Sequence, residues 1–142
     1  MSVVEMRPPT LFLVLVVATL IVGALVIAGS IWPSFDPSLT IAYAPTWLTW
    51  WIGSLTTLGA VWTTLGLRWK AGSRAWHAQQ VGTLMMMGGY TSYAGATLVV
   101  YPQALVHTTF ALSAAVMAVV RLYTLAKLER VALSVLDDAD GT

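Results

Sequence analysis

The chain has no cysteine and no asparagine, only two histidines, and charged side chains at just 9% of its 142 positions. Each shortage excludes something. Without cysteine there are no disulfides, no thiolate metal sites and no cysteine nucleophile. His77 lies at the cytoplasmic end of the third expected helix and His107 about one turn into the fourth from the outer side, so one chain cannot bring both to one metal ion. The acids are confined to the termini, one connection and the distal end of the last helical run: Glu5, Asp36, Glu129, Asp137, Asp138 and Asp140. His107 therefore has no carboxylate partner, and no nucleophile, base and orienting group can be assembled. We expect no catalytic residues, no metal site, no cofactor and no small-molecule substrate.

The scarcity of charge also argues against a soluble protein. Hydrophobic residues make up 58% of the chain, whereas a soluble domain carries about 45–50% apolar and about 25% charged residues. A soluble fold needs more polar surface than this. The composition predicts an integral membrane protein whose chief partner is the lipid bilayer.

What the chain does contain is four apolar stretches, at 11–31, 47–67, 79–101 and 104–120. Each has the roughly 17–25 residues that cross a hydrocarbon core of about 30 Å at about 1.5 Å per residue. Backbone groups in lipid must be satisfied within the segment, so helices follow. The expected fold is all-α: one four-helix transmembrane domain over 1–136, with an amphipathic extension of helix 4 at 121–136. An acidic flexible tail follows at 137–142. The first stretch is longer than the roughly 7–15 residues of a signal-peptide core and reads as a span.

Every Lys and Arg falls in one of three places. Arg7 precedes the first stretch. Arg68, Lys70 and Arg74 lie between the second and third, and Arg121, Lys127 and Arg130 follow the fourth. Positive charge collects on the cytoplasmic side, so the pattern predicts a multi-pass protein of the cytoplasmic (inner) membrane of a bacterial host, both termini inside. Trp47, Trp50 and Trp51 would anchor the outer interface, and Trp69 and Trp76 the inner one, because the indole ring is apolar while its N–H seeks water. The run "RWKAGSRAWH" at 68–77 has too few charges to bind nucleic acid. Its basic residues are expected to attract anionic lipid headgroups. In the extension, Leu122, Leu125, Leu128, Ala132 and Leu136 share one helical face, with Thr124, Lys127, Arg130 and Ser134 opposite.

No charge lies inside the four stretches, which argues against a proton-coupled transporter, whose relays need one. "MMM" at 85–87 is not a copper site, because successive helical side chains diverge by about 100°. What remains is packing chemistry. Gly82, Gly89 and Ala96 recur every seven residues, with Gly88 and Gly95 beside them, and Ala111, Ala115 and Ala118 line the fourth helix. Small residues let helices approach closely in lipid. Ser54, Thr56, Thr57, Thr63 and Thr64 give the second helix a polar face for interhelical hydrogen bonds. These faces are the candidate sites for helix packing and for a homo-oligomer.

A compact four-helix protein with Trp-rich helix ends, inside termini and a charged tail resembles the multi-span holins of actinobacterial phages. The run "RWKAGSRAWHAQQVGTLMMMGGYTSYA" is similar to a basic turn leading into a helix in small actinobacterial and actinophage membrane proteins. The resemblance covers topology rather than any diagnostic residue, so no site residue carries over from it. It implies a protein that oligomerises and permeabilises the cytoplasmic membrane during phage lysis of the host cell. The acidic end, where holin tails are usually basic, is a departure from that pattern. Other readings of the same features are a passive membrane accessory or phage immunity protein, and, after these, a small-solute channel or transporter.

Overall fold

A computed structural model describes residues 8–32, 45–69 and 72–140. Among these the fold is all-α, with four helices: α1 Thr10–Ile31, α2 Thr46–Arg68, α3 Ser73–Val100 and α4 Leu105–Asp140. Side chains are described as far as residue 131, except those of residues 26, 29 and 30. The Pro33–Pro37 connection, Arg7, Lys70 and the acidic tail, on which several expectations rest, lie outside the described residues or their side chains.

Proline sets the helix starts. Pro9 and Pro45 precede α1 and α2 with φ of −56°, close to the angle the ring imposes. Their carbonyls accept the first helical hydrogen bonds, from Phe12 N at 2.8 Å and Leu48 N at 2.9 Å. Proline also ends α3. Tyr101 precedes Pro102, whose ring disfavours helical geometry in the residue before it, and Tyr101 leaves the helix with φ −146° and ψ 72°. The turn is so short that α3 and α4 are antiparallel neighbours.

The core lies between α1, α2, α3 and the middle of α4. Phe12, Leu15, Val16, Ala60, Met86 and Ala114 form one buried cluster. The tightest seam joins α2 and α3, where Gly59 faces Gly82 and Gly66 faces Ala75 and Gln79. A Cβ on Gly59 would stand 2.7 Å from the Gly82 carbonyl oxygen, and one on Gly66 2.8 Å from that of Ala75. Only glycine permits that backbone approach. Gly23 of α1 lies against the Thr57 side chain of α2. α1 packs chiefly on α2 and touches α4 only lightly.

The expectation of four transmembrane helices does not hold. Among the described residues one helical segment, Leu105–Val131 of α4, is long and apolar enough to cross a membrane; Thr10–Leu25 of α1 is apolar but shorter. The physical reason is that lack of charge is not the same as favourable transfer into lipid. α2 is rich in Thr, Trp and Gly, and α3 carries Gln79, Gln80 and a run of Gly, Tyr, Ser and Thr. Such residues contribute little to insertion, which Leu, Ile, Val and Phe drive. The multi-pass inner-membrane placement fails with the count of spans. So does the resemblance to four-span holins, and with it the transmembrane-bundle assignment.

Candidate functional site

The residues singled out for packing are distributed unequally. Gly82 and Gly89 are buried against α2. A Cβ on Gly82 would lie 2.5 Å from Thr63 N, and one on Gly89 3.1 Å from Thr56 N. Gly88 meets nothing nearer than the Leu55 side chain at 4.0 Å, and Gly95 has open space beside it. Ala96 is partly buried, whereas Ala111, Ala115 and Ala118 are buried on α4. The hydroxyls of α2 turn back on their own helix: Thr56 donates to Ile52 O at 2.8 Å, Thr63 to Gly59 O at 2.9 Å and Thr64 to Ala60 O at 2.8 Å. Thr57 Oγ1 is buried with no partner and Ser54 is partly exposed. Thr63 and Thr56, which face Gly82 and Gly89, belong to the hydroxyl face read from the sequence, but Gly59 and Gly66 of α2 were not singled out. Their signal was the spacing of Gly59 and Gly66, seven residues apart like Gly82 and Gly89.

Trp47, Trp50, Trp51 and Trp69 are exposed, as are Arg68, Arg74, Lys127 and Arg130. Two residues expected at the surface are not there. Trp76 is 7% exposed and Arg121 only 4%. His77 Nδ1 lies 2.6 Å from the Ser73 carbonyl oxygen, and His107 is exposed. No group of three or more His, Cys, Asp or Glu that could hold a metal occurs among the described residues.

Arg121 is the polar centre of the fold. Its Nη2 donates to Gln79 Oε1 at 2.8 Å, and Gln79 Nε2 in turn donates to Gly66 O at 3.2 Å. The guanidinium also stands over the Phe12 ring, 5.5 Å from its centroid, in the range where a cation and an aromatic face attract. One side chain thus links α4 directly to α3 and α1, and through Gln79 to α2. No carboxylate neutralises it among the described residues. The nearest acid in sequence, Glu129, instead accepts from Gln80 Nε2 at 3.0 Å. The Arg121 Nε, the Trp76 Nε1 and the Thr83 Oγ1 are all buried without a hydrogen-bond partner. Trp76 and Thr83 each lie about one helical turn from Gln79, on either side of it along the same face of α3.

A second polar contact ties α1 to α3. Thr19 and Tyr90 share a short hydroxyl–hydroxyl hydrogen bond, while Thr19 also donates to Leu15 O at 2.7 Å.

The described residues thus define a small helical protein with one membrane-length apolar helix and a buried arginine that no described carboxylate neutralises. Comparison with known families, curated proteins and solved structures finds no match to this chain.

Proposed function

We propose that the protein is a non-enzymatic, membrane-associated accessory that engages a lipid bilayer through the outward surface of α4. The observation that carries the reading is the state of Leu105–Val131: only 33% of its apolar window is buried inside the protein. A core helix of a soluble protein is covered by its neighbours. Here Val106, Phe110, Val116 and Val120 are each at least 59% exposed. Such exposed apolar surface costs free energy in water, at about 25 cal/mol per Å², and lipid relieves it. Arg121 does not oppose this, because it points into the bundle toward Gln79.

Membrane fractionation of cells expressing the full chain tests the reading. The protein should stay with the membrane pellet through alkaline carbonate washing and leave it only with detergent. Val116→Asp combined with Val119→Asp should move it to the supernatant, since each Asp costs about 2.5–3.5 kcal/mol at the centre of a span. Wild-type protein found in the soluble fraction would sink the proposal.

A second reading, self-association that permeabilises the bilayer, is favoured by the uncovered backbone at Gly88 and Gly95. Dye-loaded vesicles given purified protein should leak under this reading, and Gly88→Leu should suppress both leakage and crosslinked oligomers. Intact vesicles would exclude it.

A further inference from the structure

We infer that the buried, unsatisfied donors of Arg121, Trp76 and Thr83 form a binding site for a phosphate-class oxyanion. A buried guanidinium needs a counter-charge, and among the described residues this one meets only the neutral Gln79 carbonyl and the Phe12 ring. Burial of a charge without such compensation is strongly unfavourable. Two further donors, the Trp76 indole N–H and the Thr83 hydroxyl, are buried and idle on the same face of α3. Arginine supplies planar, forked donors that match the spacing of phosphate oxygens, and its Nε–H is one of the groups left unused. An oxyanion would supply the missing counter-charge and accept hydrogen bonds from such donors; a metal cation would add to the uncompensated charge.

The guanidinium sits beside Phe12, where α1 touches α4 only lightly. The same chemistry serves two sources, the phosphodiester of a lipid headgroup and free inorganic phosphate. The site does not depend on the membrane reading above, since the second source needs no bilayer.

The test is thermal unfolding of the full chain in nonionic detergent micelles. One arm adds sodium phosphate against sodium chloride at equal ionic strength. The other dopes the micelles with phosphatidylglycerol against the phosphate-free diacylglycerol. Ligand at about 100 times Kd should raise Tm by about 10 °C. A rise in the lipid arm alone assigns the site to a headgroup, and a rise with inorganic phosphate assigns it to the free anion. Arg121→Gln should abolish the rise, while Arg74→Gln, at an exposed position, should leave it intact. Trp76→Phe keeps the arginine and most of the packing and should weaken binding about tenfold, the effect of losing one hydrogen bond to a charged group. That variant keeps the question decidable if Arg121→Gln does not fold. No rise in either arm, an equal rise with chloride, or unchanged binding by Trp76→Phe overturns the inference.

Discussion

Adding one methyl group to Gly82 should have the opposite effect from adding one to Gly95, although both lie in the same helix. In each case alanine gains about 0.5–1 kcal/mol over glycine through backbone entropy and helix propensity. At Gly95 nothing lies within 4 Å of the added carbon, so that gain is the whole effect. At Gly82 the new Cβ would stand 2.5 Å from Thr63 N and 2.6 Å from Gly59 O, against about 3.5–4.0 Å for comfortable contact. Both obstacles include backbone atoms of α2, which cannot swing aside as a side chain can. The helices would have to part by about 1 Å, and overpacking of this kind costs about 1–3 kcal/mol. The net expectation is a loss of about 1–2 kcal/mol for Gly82→Ala and a gain of about 0.5–1 kcal/mol for Gly95→Ala. With Tm moving roughly 4 °C per kcal/mol in a chain of this size, circular dichroism melts in nonionic micelles should show a fall of about 4–8 °C for the first and a rise of about 2–4 °C for the second. If Gly82→Ala melts at or above the wild-type temperature, α2 and α3 do not meet through the Gly59–Gly82 contact.

Two more outcomes follow from the core. Thr83→Val replaces a buried hydroxyl that has no partner with an isosteric methyl, so equilibrium denaturation should show stability raised by about 1 kcal/mol. Thr63→Val, whose hydroxyl donates to Gly59 O, should give no such gain. Met86 is fully buried within the central cluster, so Met86→Ala should cost about 2–5 kcal/mol in the same measurement.

The four helices were legible because proline and apolar runs punctuate the chain plainly. Pro9 and Pro45 precede helix starts, and Pro102 marks the tight α3–α4 turn. What failed was the step from uncharged to membrane-spanning. A stretch such as "WLTWWIGSLTTLGAVWTTLGL" lacks charge, yet Thr, Gly and Trp give it little tendency to enter hydrocarbon. The structure uses those same residues differently: glycine and threonine alternate down the buried side of α2, where small size admits α3. Periodicity of small residues was visible in α3 and unread in α2, where Gly59 and Gly66 lie among threonines that suggested a polar face instead.

Arg121 shows why counting charges along a sequence misplaces a site. Set beside Lys127 and Arg130, it reads as one member of a basic cluster, and exposure is the usual state of such residues. Only the three-dimensional register distinguishes them: Lys127 and Arg130 are exposed, while Arg121 turns inward to Gln79. Gln79 was the overlooked signal. A glutamine within an apolar run must satisfy both its carbonyl and its amide when buried, and here it does so by reaching Arg121 on one side and Gly66 on the other. The amide is a relay between a charge and a backbone carbonyl exposed by the missing Cβ of a glycine. Removing its donor half while keeping its acceptor separates these roles. Gln79→Glu places a carboxylate against Arg121 and forfeits the bond to Gly66 O. If the unpaired charge of Arg121 governs the site, that variant should melt at or above the wild-type temperature and lose its response to phosphate, because the anion's place is filled from within. A variant that melts lower and still responds to phosphate would show that the bond to Gly66, and not the charge, organises this part of the fold.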